Sequence, residues 1–178
     1  MAQLFWGKAP LAAAAAYYFF HKGGPVQNLL HNLKYQGHKE IGLVVGEQYG
    51  HCLLQSESFR EVSLILPVPL HPAKEKKRGY NQSLLFAQGL SESMGIEVGE
   101  NILIRSNASE TQTRKSRFAR WENVQTVFRL TSAIPLENKH VLIVDDVLTT
   151  GATVEACIQE LLPVKGIKIS IAAMAWAW

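Results

Sequence analysis

Residues 141–153 read Val-Leu-Ile-Val-Asp-Asp-Val-Leu-Thr-Thr-Gly-Ala-Thr. The run Val141 to Val144 is apolar without alternation, the pattern of a strand covered on both faces, as in a parallel sheet. His140 to Val144 is therefore predicted as a buried strand, with Asp145 and Asp146 at its carboxyl end. Ligands of open α/β sheets bind at that edge, where two adjacent carboxylates can accept hydrogen bonds from neighbouring sugar hydroxyls. Thr149, Thr150, Gly151 and Thr153 follow, leading into a predicted helix through Cys157, Leu161 and Leu162. The free backbone amides of a helix start favour an anion, and Gly151 lets the backbone approach closely or take a positive φ. Carboxylates, then hydroxyls and a glycine turn, imply a site for a phosphorylated sugar. A plainer reading makes Thr149 and Thr153 helix caps, and paired aspartates also end strands in receiver domains and magnesium phosphatases. Capping alone gives no reason for two carboxylates immediately upstream.

Outward from this run, strands alternate with helices. Val62 to Val68 is a second predicted buried strand, and Leu84 to Met94 a helix with Leu84, Leu85, Ala87 and Leu90 inward. Ile102 to Arg105 and Thr126 to Leu130 are short strands, and Ile167 to Trp178 is a last buried one. Toward the amino end, Gly23, Gly24 and Pro25 make a turn and helix start. Val26, Leu29, Leu30 and Leu33 follow at helical spacing. A helix over about 40–55 is expected to turn Ile41, Val44, Val45, Cys52 and Leu53 inward, and Phe5 to Phe20 reads as a strand or strand pair. The expectation is an α/β fold, a mostly parallel sheet flanked by helices. With 178 residues and 47 % hydrophobic content, one domain is expected, about 1–60 forming an N-terminal flanking hood and about 61–178 the core.

A formal net charge of +3 suits anionic substrates but falls short of a nucleic-acid coat. Cys52 and Cys157 have no metal-ligand spacing and read as free buried thiols. No protein-bound metal is expected. Leu11 to Phe20 lacks a small-residue cleavage site and is too short to span a bilayer. A cytoplasmic protein without membrane insertion is therefore expected.

The stretch 66–82, Leu-Pro-Val-Pro-Leu-His-Pro-Ala-Lys-Glu-Lys-Lys-Arg-Gly-Tyr-Asn-Gln, follows its own strand and so lies at the same edge. Arg78 offers a planar fork for phosphate, and Lys74, Lys76 and Lys77 are flexible point charges. Taken alone, the stretch reads as a solvated basic loop ending in an ordinary cap at Asn81 and Gln82.

Together these stretches carry a resemblance. Residues 141–153 resemble the phosphoribosyl pyrophosphate (PRPP) motif of type I phosphoribosyltransferases. Pro-Val-Pro-Leu-His-Pro followed by Arg-Gly-Tyr-Asn-Gln resembles the hallmark of the competence protein F family, the ComF and GntX proteins. Arg105, Thr111, Gln112, Arg120, Asn123 and Phe128 form a third block. Lys34, Tyr35 and Gly37 match the family's Lys-Tyr-x-Gly element. One departure stands out: family members commonly begin with a four-cysteine zinc ribbon, and no Cys-x-x-Cys pair occurs here, so either the chain starts at the transferase domain or the ribbon is absent by nature.

The resemblance implies roles. Asp145 and Asp146 would hold the ribose hydroxyls, and Leu148, Thr149, Thr150, Gly151, Ala152 and Thr153 the 5-phosphate. Leu70, His71, Arg78, Gly79, Asn81 and Gln82 are the pyrophosphate candidates. Arg105, Gln112, Arg114, Lys115, Arg117, Arg120 and Asn123 are candidates for a mobile closing loop, the alternative being an exposed charged loop without substrate contact. Mg2+ is expected as a cofactor bound to PRPP rather than to the protein. PRPP is the expected partner, with single-stranded DNA or competence-machinery proteins as further candidates, and homo-oligomers are allowed. The implied activity is phosphoribosyl transfer to an unidentified acceptor in DNA uptake. Its rival is a non-catalytic PRPP-binding or DNA-handling module acting through partners. Nucleobase salvage is a third reading, for which Trp176 and Trp178 offer rings that could equally belong to the core.

Overall fold

The computed structural model describes residues 1–7, 9–105 and 127–177. Its centre is a four-stranded parallel sheet in the order β1-β6-β5-β2, built from β1 (Ala13–Phe20), β2 (Leu64–Pro67), β5 (His140–Leu148) and β6 (Lys168–Ala177). A separate antiparallel pair joins β3 (Leu103–Arg105) to β4 (Phe128–Leu130). The helices are α1 (Pro25–Tyr35), α2 (Glu40–Leu54), α3 (Glu57–Arg60), α4 (Pro72–Arg78), α5 (Gln82–Met94) and α6 (Ala152–Leu161). Short 3-10 turns cover Ala2–Phe5 and Ile134–Leu136.

β5 and β6 occupy the middle of the sheet, which explains their unbroken apolar runs. Along β5, Val141 and Ile143 enter a core with Phe5, Leu103, Phe128 and α6, while Leu142 and Val144 enter a second core with α1, α2 and α5. Pro67 ends β2, an outer strand, where a missing N–H leaves no ladder bond unmade.

The N-terminal third differs from expectation. Residues 13–20, expected within a flanking hood, pair with β6 from Ala13↔Ser170 to Phe20↔Ala177 and form the sheet's other edge. Ahead of them lies a 3-10 turn rather than a second strand.

α2 has the expected span and buries Val45 and Leu53 as expected, but Val44 and Cys52 do not face inward. Val44 is 49 % exposed and Cys52 is exposed, so only Cys157 is a buried thiol. The buried stripe of α2 is Gly42, Val45, Gly46, Tyr49, Gly50 and Leu53. It packs against α5, itself turning Phe86, Ala87, Gly89 and Leu90 inward while Leu84 and Leu85 stay half-buried. A side chain on Gly46 would lie 2.4 Å from the Phe86 carbonyl oxygen, and one on Gly89 2.1 Å from that of Leu43. Close backbone approach, not apolar bulk, fixes this pair. A hydrophobic periodicity cannot register residues that have no side chain.

Residues 72–78, read as a loop, form α4. Pro72 opens it, His71 caps it and Gly79 closes it at φ 80, the arrangement that favours proline at a helix start and glycine just past its end. Among the described residues no helix is long and apolar enough to cross a membrane.

Candidate functional site

The crevice arises where two strands of unequal length part. β5 keeps its pairing with β6 as far as Leu148↔Trp176, but β2 pairs with it only up to Pro67↔Val144. One last bond, from the Val68 N–H to the Val144 carbonyl, closes that side, and Pro69 then carries the chain away. Beyond Val144 the strand therefore has a partner on one flank only. Asp145 and Asp146 stand on this one-sided stretch, inside a strand four residues longer than the predicted 140–144.

The two carboxylates differ in surroundings. Asp145 Oδ1 accepts a hydrogen bond from Ser83 Oγ at 2.9 Å and another from the Asp146 N–H at 2.8 Å. Burial of its carboxyl, then the adjacent Asp146 charge, push its pKa up to about 7, against the opposing pull of those hydrogen bonds and of Lys34. Asp146 is paired instead, its Oδ2 lying 2.9 Å from Lys34 Nζ. One carboxylate thus sits in a place that disfavours its charge, and the other meets a cation from the end of α1.

Next along the chain, residues 147–154 and Asp145 line a cavity of about 30 Å3. Gly151 is the N-cap of α6 at φ 78, and the Ala152 N–H donates to Thr150 Oγ1 at 3.4 Å. Thr149, Thr150, Ala152 and Thr153 are exposed. The turn thus presents hydroxyls and helix-start amides to an incoming anion. Phe5 closes it from below: a side chain on Gly151 would lie 3.0 Å from the Phe5 ring, and Phe5 is 1 % exposed.

On the β2 side, the basic stretch is divided between tasks. Asn81 caps α5, accepting from the Ser83 N–H and donating to the Val68 carbonyl, each at 3.0 Å. Gln82 is 1 % exposed; it accepts from Arg78 Nη1 at 2.7 Å and donates to the Tyr80 carbonyl at 3.3 Å. It reaches an anion only through Arg78. His71 Nδ1 accepts from the Ala73 N–H at 3.2 Å, which leaves Nε2 as the protonated nitrogen of the neutral ring. Arg78 lies 5.2 Å over the Tyr35 ring. Leu70 borders a cavity of about 190 Å3 together with Asn81, Leu103 and Arg105. The Gly79 turn, exposed, sits between Arg78 and Tyr80.

Of the loop candidates, Arg105 ends β3 with its guanidinium 5.2 Å over the Phe128 ring. Gln112, Arg114, Lys115, Arg117, Arg120 and Asn123 lie outside the described residues. Phe5 beneath the threonine turn and Ser83 on Asp145 had no sequence signal of their own, and the Lys-Tyr-x-Gly element named Lys34 without its pairing with Asp146. Each comes from an element far along the chain from its partner.

A model of the phosphoribosyl transferase domain matches residues 58–176. The DNA utilization protein YhgH of Escherichia coli strain K12 is 33 % identical over 141 residues, covering 78 % of this chain and 61 % of that protein. Competence protein F of Haemophilus influenzae is 30 % identical over 148 residues, covering 81 % and 64 % respectively. This chain thus spans less than two thirds of the length of either relative. The adenine phosphoribosyltransferase of Leishmania tarentolae superposes with a TM-score of 0.47 at 12 % identity, over 89 % of this chain and 90 % of that one. The matched segment 58–176 holds the acidic pair, the threonine turn and the basic stretch alike, and the chain belongs to the phosphoribosyl transferase domain family.

Proposed function

We propose that this protein binds PRPP at the end of β5 and transfers its phosphoribosyl group to an acceptor. The observation that carries the reading is the open flank of β5, where Asp145 and Asp146 lead directly into the threonine and glycine turn at the start of α6. In this reading the carboxylates accept bonds from the ribose hydroxyls, with Lys34 giving way or shifting, and residues 148–153 hold the 5-phosphate. His71 Nε2, Arg78 and the Gly79 turn face the pyrophosphate, and Gln82 orients Arg78. Asn81 supports them as a cap.

Transfer forms a bond from the acceptor nucleophile to C1 of the ribose and breaks the C1–O bond to pyrophosphate, which leaves with its electron pair. The proton of the acceptor passes to solvent or to the leaving group. The protein needs no covalent nucleophile for this; it positions the two reactants and stabilises the charge that develops. The acidic pair offers the oxygen donors that Mg2+ takes. In this reading Mg2+ would arrive on the oxygens of PRPP. It would share the charge of the leaving pyrophosphate.

The DNA utilization and competence proteins to which the chain is similar support a place in the uptake or handling of transforming DNA. They also favour a second reading, a PRPP-binding module that acts through partners without transfer. Release of pyrophosphate separates the two.

The PRPP site itself is tested by calorimetric titration of Asp145→Asn/Asp146→Asn with PRPP and Mg2+. Wild-type protein should bind and gain thermal stability on binding. The double variant should stay folded by circular dichroism and lose at least tenfold in affinity, the size of one charge-assisted hydrogen bond, roughly 1.5 to 3 kcal/mol. Unchanged affinity in the folded variant would remove the reading.

A further inference from the structure

A third and larger cavity adjoins the acidic pair. Lys34, Tyr35, Gly37, Lys74, Lys77, Arg78 and Tyr80 line a space of about 500 Å3, within the range of cavities that enclose a whole small molecule. The cavity at the threonine turn, by contrast, measures about 30 Å3.

Its walls are made by helix geometry. Lys74, Lys77 and Arg78 stand at i, i+3 and i+4 of α4 and therefore share one face. Glu75 turns to the opposite side and lines the other cavity, beside Leu70 and Arg105. The facing wall is the end of α1, tied in place by a hydrogen bond from the Tyr80 hydroxyl to the Leu33 carbonyl. Tyr80, 9 % exposed, also carries Lys39 Nζ 5.1 Å over its ring. The space is thus bounded by fixed elements.

Lys34 and Arg78 are shared with the proposed PRPP site, but Lys74, Lys77 and Tyr35 have no role there. Lys34 has Asp146 as its partner, but among the described residues Lys74 and Lys77 have no ion-pair partner. Tyr35 is 63 % exposed, with the Arg78 guanidinium 5.2 Å from its ring centre and the His31 ring tilted at 5.1 Å. An exposed phenol ring beside two ammonium groups without an ion-pair partner among the described residues forms a stacking surface next to an anion site. A bare phosphate would need the cations alone, and a bare base the stacking surface alone.

We propose that this cavity binds a nucleoside monophosphate beside PRPP, its ring against Tyr35 and its phosphate on Lys74 and Lys77. That this nucleotide is the acceptor-side ligand rests on the transferase reading above; its binding does not.

The test is calorimetric titration of AMP, adenosine and inorganic phosphate, each with and without saturating PRPP and Mg2+. AMP should bind at least tenfold more tightly than either half-ligand and should still bind when PRPP is saturating. Tyr35→Ala, a change at an exposed position, should weaken AMP about tenfold and leave phosphate unaffected. Lys74→Ala/Lys77→Ala should weaken both about tenfold and flatten the dependence of AMP binding on salt. AMP displaced competitively by PRPP would put the nucleotide in the sugar-phosphate site and overturn the proposal, as would no AMP binding or no response to Tyr35→Ala. A four-nucleotide DNA strand binding far more tightly than AMP would overturn it in favour of a strand. If AMP behaves as expected while PRPP fails to bind, the nucleotide site stands and the transferase reading falls.

Discussion

Asp145, proposed to bind the ribose, is held in a place that works against its charge. Its carboxyl is pushed up to about 7 from an ordinary 3.8, by burial and then by the Asp146 charge. Between about pH 4 and pH 7 the folded protein therefore keeps a proton that the unfolded chain has released, and stability falls as pH rises through that window. Asparagine holds no such proton, yet its side-chain oxygen can still accept from Ser83 and the Asp146 N–H. Asp145→Asn should therefore melt at a higher temperature than wild type above pH 7, with a gain of up to about 4 kcal/mol, and the two curves should converge near pH 4. Melting temperatures across pH 4 to 9 check this; a constant difference at every pH would mean that the carboxyl titrates normally. At this scale the sequence was most informative. Two carboxylates after an apolar run are legible from the chain alone, whereas their inequality is not, because Ser83 and Lys34 reach them from α5 and α1.

At the scale of elements, the contact between α2 and α5 is governed by what is missing from it. Gly→Ala inside a helix usually stabilises by about 1 kcal/mol. Gly89→Ala should do the reverse, because the added carbon would stand 2.1 Å from the Leu43 carbonyl oxygen and must force the helices apart, at a cost of roughly 1 to 3 kcal/mol. Gly46→Ala should behave alike, and a lower urea midpoint with an unchanged slope is the expected result. A midpoint at or above that of wild type would show that the helices have room. The spans of α1, α2 and α5 follow from spacing and from their starts at Pro25, Glu40 and Gln82, but the inner face of α2 does so only in part, through Val45 and Leu53. Spacing of apolar residues favoured Val44 and Cys52, and close packing chose the glycines. α4 escaped notice because its charged residues bury nothing, leaving only its Pro72 start and Gly79 stop as signals.

For the whole molecule, the N-terminal twenty residues belong to the sheet and to the site at once. β1 covers one flank of β6 along its length, and Phe5 lies under the Gly151 turn. A chain lacking residues 1–20 should expose the β6 edge, lose cooperative thermal unfolding and aggregate on size-exclusion chromatography, since an unpaired central strand invites pairing with another chain. A monomeric truncation with a sharp transition would show that residues 21–178 suffice. The chain alone shows the buried strand that carries two carboxylates, though not its full length to Leu148, together with the threonine and glycine turn after it, the basic stretch near residue 78 and the parallel α/β class. These are local: each needs only neighbours in the chain to set its period, its cap or its charge. It takes the packed fold to show that β2 stops short of β5 and so opens the crevice, that Lys34 meets Asp146, that Phe5 lies under the Gly151 turn, and that α1 and α4 line a third cavity. Each of those depends on packing between segments far apart in sequence, where burial and close approach, not local preference, fix which surfaces meet.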